Sequence, residues 1–337
     1  MLKIIYISLL ILLITSTGLF AQEREPIADQ LMEVMKNDAF SVSMLLQTEA
    51  VLSFQDDNFN GGRAFGLGAT RLDFSGRVDN GFNYKLQLDF NRASNLMDAR
   101  IGYHASDQFS IVTGLTKPAL SRDLDPSPAN TDFIDRARLV GAMMNPREIG
   151  IAVLGDIGNV HYNFGMYNGT GFSRSNDNRF MYTGRLAIGT ETDNGSFQAG
   201  FNGAINQTRN ESVGNTGLVS QGDRVLYGAF LVYNSRFVFG TIEFMQTRFD
   251  AQNFGGAEET ITGFYATLGT NVSDKSQLLV RWDRLDFDLR DITSDLLVFG
   301  LNYQATRLIS FQANLLAQFN EDEDGKYGLS GVFQFHF

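Results

Sequence analysis

Apolar and polar residues alternate along most of the chain from residue 40 onward. The segment 82–91 (FNYKLQLDFN) puts its apolar side chains on one face and its polar side chains on the other, which is the period-two pattern of a half-buried β-strand. The same alternation returns at 197–206, at 309–315 and at 327–337. The chain holds 34 Gly and 29 Phe but only 5 Pro, which suits strands because proline removes a ladder hydrogen bond. The pattern predicts an all-β fold.

A soluble β-sandwich shows the same alternation, so three further features decide the class. Many predicted strands run to about 10–14 residues, longer than the usual 5–6 and long enough for a tilted membrane span of about 9–11. The polar face is rich in Asn, Gln and Gly. Short turns such as 79–81 alternate with longer joins such as 206–222, as in outer-membrane barrels. We therefore predict a transmembrane antiparallel β-barrel of about 16 strands, with a phase change at 281–289 that indicates a bulge or a strand end.

The chain divides into three predicted parts. Residues 1–21 contain Lys3, an apolar run of 11 residues and a small residue at position 21, which is typical of a secretory signal peptide; the run is shorter than the roughly 20 residues of a membrane-spanning helix. Residues 22–39 are predicted to be a periplasmic N-terminal segment, a short amphipathic helix or a flexible lead-in. Residues 40–337 are predicted to form the barrel in the outer membrane, to which the signal peptide exports the chain.

Composition excludes several functions. The chain has no Cys, which rules out disulfide scaffolds, thiolate metal sites and cysteine nucleophiles. Its 27 basic and 38 acidic residues give a net charge of -11, which argues against a nucleic-acid partner. The three His residues have no metal-ligand spacing, and no Ser–His–acid constellation marks a hydrolase. We predict no metal, no cofactor and no enzymatic activity.

A barrel of 16 strands is too wide for side chains to fill, so its interior is expected to be an aqueous channel. The predicted function is passive diffusion of small hydrophilic solutes, and the predicted surroundings are outer-membrane lipids. Two other classes stay open. One is a substrate-specific transporter whose lumen is plugged by segment 22–39, and the other is a general porin that tolerates cations.

The segment 117–147 interrupts the hairpin rhythm for 31 residues and holds four of the five prolines. Loops of this length inside a compact fold are usually functional. Counted from the N-terminus it is the third outer loop, and we predict that it folds into the lumen and narrows the channel. A helix-like piece at 131–144 opens with Asp132 at a capping position.

The same loop is locally basic in an acidic protein, with five basic residues against four Asp. Basic groups in a constriction concentrate anions, and guanidinium groups match phosphate with paired donors. An equally weighted alternative is that these side chains pair with the Asp residues and only pin the loop to the wall. The candidate residues for the constriction and for anion binding are Lys117, Arg122, Arg136, Arg138 and Arg147.

Four motifs in order resemble one known family. They are GLTKP at 114–118, FIDR at 133–136, PREIGI at 146–151 and GMYNGTG at 165–171. This series resembles the phosphate-selective porin O and P family. The resemblance implies a homotrimeric outer-membrane porin with a basic constriction that favours anions such as phosphate.

Overall fold

The computed structural model describes residues 35–36, 39–55, 58–173, 178–320 and 324–337. The predicted signal peptide 1–21 lies outside the described residues, and so does the predicted segment 22–39 except for residues 35, 36 and 39. The strands are β1 Ser41–Ser53, β2 Arg63–Arg77, β3 Phe82–Asp89, β4 Leu96–Ser106, β5 Phe109–Thr116, β6 Glu148–Ile157, β7 Val160–Tyr167, β8 Met181–Thr192, β9 Gly195–Ser212, β10 Val219–Ser235, β11 Val238–Ala251, β12 Ala257–Ser273, β13 Ser276–Phe287, β14 Ile292–Gln304, β15 Ile309–Asn320 and β16 Lys326–His336.

These strands form one closed antiparallel barrel. Each strand pairs with its neighbours in sequence, and β1 pairs with β16 from Leu45↔His336 to Ser53↔Gly328. Closure satisfies the backbone groups that an open edge would leave unpaired, which a sheet in lipid requires. The prediction of a 16-stranded antiparallel β-barrel is confirmed.

The alternation of the sequence becomes two different faces of the sheet. On β11, Ile242 is 46% exposed and Phe244 is 37% exposed, whereas Glu243 between them is fully buried. On β13, Trp282 is exposed and packs edge-on against Phe264 of β12, with ring centroids 5.4 Å apart. The exposed face is therefore apolar and aromatic, as contact with lipid requires, and the buried face carries polar and charged side chains.

The long loop contains less helix than the sequence suggests. A 3-10 turn spans Pro128–Asn130 and one α-helix, α1, spans Arg138–Met143. The prediction of a helix over 131–144 capped by Asp132 is wrong in extent, because α1 begins after Ala137. The carbonyl groups of Thr131, Asp132 and Asp135 accept hydrogen bonds from strand side chains, so they are not free for a helical ladder.

One other detail differs from the expectation. The join predicted at 206–222 is mostly strand, since β9 and β10 stay paired as far as Ser212↔Val219. Of the two alternatives for the phase change at 281–289, the strand end is correct and the bulge is not, because β13 pairs regularly with both neighbours there and ends at Phe287. Leu285 is an apolar residue on the buried face, where it belongs to the apolar cluster around α1.

Candidate pore constriction

Five consecutive strands hold the segment 128–135 by its backbone. Each strand offers one polar side chain from its buried face, and each side chain donates to one carbonyl oxygen of the loop. These amide and guanidinium donors explain part of the Asn and Gln content of the polar face. The pairs are Gln47 of β1 with Pro128 (3.4 Å), Gln334 of β16 with Ala129 (3.0 Å), Gln312 of β15 with Thr131 (2.8 Å), Asn302 of β14 with Asp132 (2.9 Å) and Arg281 of β13 with Asp135 (3.0 Å).

Helix α1 then packs on strands β11–β13. Leu139 and Met143 are fully buried in one apolar cluster. Gly263 of β12 permits this approach, since a Cβ there would lie 2.5 Å from the Cβ of Leu139. The cluster also contains residues of the strand wall, namely Met245, Phe249, Ile261, Tyr265 and Leu285.

Two turns at the same end of the barrel cover the helix. Val213 and Leu218, at the ends of the β9–β10 turn, belong to the same apolar cluster, and the backbone N–H of Asn215 donates to the carbonyl of Gly141 at 2.8 Å. Arg290, in the β13–β14 turn, donates from Nη1 to the carbonyl of Thr216 at 3.3 Å. The loop is thus packed in layers beside strands β10–β13.

Glu148 fixes the other end of the loop. Its Oε2 accepts hydrogen bonds from the backbone N–H groups of Gly169 (3.1 Å) and Gly171 (3.0 Å), and its Oε1 accepts from Asn145 Nδ2 at 3.0 Å. Both glycines have positive φ, +79° and +67°, which favours glycine. Glu148 therefore joins the PREIGI motif to the GMYNGTG motif.

Two of the predicted constriction residues hold a turn of the loop itself. Lys117 Nζ donates to three carbonyl oxygens, those of Leu124 (2.8 Å), Asp125 (2.9 Å) and Pro126 (2.9 Å). Arg136 donates to the carbonyls of Asp123 and Pro126. Burial, together with the nearby guanidinium groups of Arg147 and Arg136, lowers the pKa of Lys117 to about 7.

The other three predicted residues bind acidic partners. Arg138 Nε lies 3.2 Å from the buried Asp283, Arg147 Nε lies 2.5 Å from Asp98 and Arg122 Nη1 lies 3.0 Å from Asp125. Buried charges that are paired in this way fix geometry. These three side chains therefore serve largely to hold the loop in place.

A cavity of about 340 Å³ lies between the loop and strands β2–β5, β7 and β8. Of the five candidates, Lys117 and Arg147 line it, whereas Arg122, Arg136 and Arg138 do not. Four further basic residues on its wall come from strands, so six basic and two acidic side chains face one space. The charged residues on the wall are Arg71, Lys85, Arg100, Lys117, Arg147, Arg185, Asp98 and Asp125.

The basic groups of this cavity differ in how far they are neutralised. Lys85 Nζ lies 3.3 Å from Asp73 and 3.4 Å from Asp98. Arg71 is bound to the buried Asp89 at 2.9 Å. Arg100 makes no hydrogen bond or ion pair with the described residues. The positive excess is concentrated here although the whole chain has a net charge of -11, and low-dielectric walls focus such a field.

The family model of phosphate-selective porin O and P matches residues 47–215. The chain belongs to the phosphate-selective porin O and P family. The matched span contains all four motifs, so the resemblance drawn from them is confirmed. Membership makes the chain a porin, a channel protein of the outer membrane.

Solved structures share the fold of this porin at low sequence identity. An anion-selective porin from Comamonas acidovorans is 12% identical with a TM-score of 0.66, over 89% of this chain and 99% of that one. The trimer form of the outer-membrane protein OmpT of Vibrio cholerae is 12% identical with a TM-score of 0.67, over 89% and 100%. OprB of Pseudomonas putida is 9% identical with a TM-score of 0.67, over 93% and 96%. No curated protein sequence matches the porin significantly.

The strand residues of the basic cavity were not among the predicted constriction residues, but they do carry a sequence signal. Lys85 occupies the polar phase of the alternation in segment 82–91. Across the β3–β4 ladder it is paired with Arg100. Basic residues on the polar phase of two strands that follow one another in sequence therefore predict a charged wall in this porin from the sequence alone.

Proposed function

We propose that this porin is an anion-preferring diffusion channel whose selectivity is set in the basic cavity. The observation that carries the proposal is that six basic and two acidic side chains line one cavity of a chain with net charge -11. Asp73 and Asp89, the further partners of Lys85 and Arg71, reduce the positive excess but do not remove it. A cation entering this space meets like charges, whereas an anion is concentrated there.

We propose further that the loop 117–147 folds into the lumen and forms the constriction. Its backbone is held by side chains from the buried faces of β1 and β13–β16, and Ser121 Oγ donates to Glu243 of β11 at 2.8 Å. Asp125 is bound by Arg185 of β8 at 2.7 Å. Because these partners lie on the buried faces of strands on several sides of the closed barrel, the loop can contact all of them only from the interior. The basic cavity is then the space that remains between the loop and the wall.

Phosphate is the solute class that this wall suits. Guanidinium groups bind oxyanions through paired, charge-assisted donors, and hydrogen phosphate carries up to two charges near neutral pH. The family name and the printed name of the Comamonas neighbour, an anion-selective porin, support the same preference. Small hydrophilic anions in general are expected to pass by the same route.

The fold and its neighbours also support a proposal about the surroundings of the channel. We propose a homotrimer in contact with outer-membrane lipids, supported by the exposed apolar face and by the trimer form of the Vibrio neighbour. Export by the signal peptide 1–21, a periplasmic segment 22–39 and a barrel from residue 40 remain part of the proposal.

A general, cation-tolerant porin is the second candidate. It is favoured by another cavity, of about 260 Å³, between the loop and strands β1 and β16. This cavity is lined by Glu49 and Asp135 and by no basic residue. A route through it would pass cations, so the two cavities predict opposite selectivity.

The reversal potential of purified protein in a planar bilayer under a KCl gradient separates the two candidates. Anion selectivity, with chloride current blocked by added phosphate, is the expected result. Cation selectivity would overturn the anion channel and leave the general porin. Covalent blockage by a cysteine reagent after Arg100→Cys, with Glu49→Cys as the matched variant, then shows which cavity carries the current.

A further inference from the structure

One carboxylate oxygen of the loop is held between two arginines. Asp125 Oδ2 accepts from Arg122 Nη1 at 3.0 Å and from Arg185 Nη1 at 2.7 Å. Both guanidinium groups lie over the ring of Phe230 on β10, at 5.4 Å and 5.6 Å from its centroid. The aromatic ring and the two cations form a site for an anion, and a carboxylate of the chain fills it.

The two arginines retain donors that Asp125 does not use. Arg185 Nε and Nη2 and Arg122 Nε are buried and have no hydrogen-bond partner among the described residues. Unpaired buried donors on charged groups are costly. A single carboxylate oxygen therefore satisfies the site only partly, whereas a tetrahedral oxyanion has further oxygens to offer.

Asp125 differs from Asp98, the other acidic residue of the basic cavity. Asp98 is 6% exposed, lies on β4 and is bound by Arg147 at 2.5 Å. The Asp125 side chain is 31% exposed and lies on the loop. Lys117 holds the carbonyl of Asp125, not its carboxylate. The side chain of Asp125 can therefore rotate away from the arginines while the loop backbone stays in place.

We propose that Asp125 is a tethered competitor that occupies a two-arginine oxyanion subsite, and that a permeating phosphate displaces it. The inference rests on the proposed function and adds how the site releases its solute. When phosphate leaves, the carboxylate returns to the arginines, so the site is never without an anion. Binding thus stays weak enough for conduction, which requires that a solute can leave as well as enter. Chloride, with one charge and no set of oxygens, displaces the carboxylate less well.

Removing the competitor tests the proposal. Asp125→Asn keeps an oxygen that accepts one hydrogen bond but loses the charge, so the subsite is open to phosphate. The concentration of inorganic phosphate that halves the chloride current at pH 8 is expected to fall about tenfold, the scale of one charge-assisted hydrogen bond. The double variant Asp125→Asn with Arg185→Gln is expected to lose this gain.

Asp132→Asn is the matched control. Asp132 lies in the same loop, and its carboxylate makes no hydrogen bond or ion pair with the described residues, so the substitution removes an equal charge without opening the subsite. Equal shifts in the two single variants, or no shift in either, overturn the competitor. Cation selectivity of the wild type would instead overturn the proposed function, so the two failures are distinct.

Discussion

Lys85 of β3 and Arg100 of β4 are directly paired across the ladder, so two like charges lie side by side on the wall of the basic cavity. Like charges in directly opposite positions destabilise a sheet. Asp73 and Asp98, which lie 3.3 Å and 3.4 Å from Lys85 Nζ, offset the charge of Lys85. Arg100 makes no ion pair with the described residues, so its positive charge is available to a solute.

Arg100 gives a direct test of this potential. Because it makes no ion pair with the described residues, Arg100→Gln is expected to leave folding intact and to lower the anion-to-cation permeability ratio by about twofold, the effect of one unit charge acting across water. The reversal potential measures the ratio. Arg248→Gln is the control, since Arg248 is 63% exposed and pairs with Glu258 on the exposed face. An equal effect of the two variants on the permeability ratio would contradict the assignment of selectivity to the wall of the basic cavity.

Lys117 is expected to make the selectivity depend on pH. Its pKa is lowered to about 7, so the ammonium is charged below this pH and neutral above it. Anion selectivity should therefore fall as the pH rises from 6 to 8. Lys117→Arg stays charged over this range and should remove that step. If the variant shows the same pH profile as the wild type, Lys117 is not the group that titrates.

Asp132 should add a second step, at lower pH, to the dependence of anion selectivity on pH. Burial and the nearby Asp123 raise the pKa of Asp132 to about 6. As the pH rises through 6, the loop gains a negative charge, which also lowers anion selectivity. Asp132→Asn is expected to remove this step and to leave the one near pH 7, as recorded by reversal potentials at half-unit intervals.

Gly263 tests whether the packed helix limits the current. A larger side chain there meets the Cβ of Leu139, which is 2.5 Å from the position of an added Cβ. Gly263→Val should displace α1 and raise the single-channel conductance, and it should make the loop more sensitive to protease. Gly66→Ala is the control, because an added Cβ at Gly66 has no heavy atom within 4 Å. Unchanged conductance in Gly263→Val would show that α1 does not narrow the channel.

Glu148 should matter for stability. Glu148→Gln weakens charge-assisted hydrogen bonds to Gly169 and Gly171, and the expected loss in free energy of unfolding is about 1–3 kcal/mol. Unfolding in urea from detergent micelles measures the loss. Glu258→Gln should change stability by less than about 0.5 kcal/mol, since Glu258 is 62% exposed. Similar losses in both variants would contradict the anchoring role of Glu148.

The sequence predicts the barrel well because alternation is a local property of each strand. Segment 82–91 shows its two faces without knowledge of its neighbours, and 16 such segments define the fold. The family motifs are also local, since each is a short run of specific residues, and the structure joins two of them where Glu148 accepts from Gly169 and Gly171.

The site was harder to predict because it depends on closure of the barrel. Arg71 and Arg185 are far apart in sequence, and only the closed sheet brings them to one cavity. Conversely, Arg136 and Arg138 stand out in the loop, but their donors are taken by nearby carbonyls and by Asp283. Residue type and position in a loop do not reveal which acceptor binds a given basic side chain in the folded protein.

The layers of α1 and the β9–β10 turn give the two halves of the barrel different evolutionary freedom. Strands β10–β13 carry buried apolar residues such as Met245 and Ile261, and a change of volume there is felt as it is in the core of a globular protein. Strands β2–β4 border the basic cavity, and a charged side chain there that lies outside the buried ion pairs, such as Arg100, can be exchanged at little cost in folding. Relatives that use this scaffold for other solutes are therefore expected to differ first on β2–β4 and to keep the volumes on β10–β13.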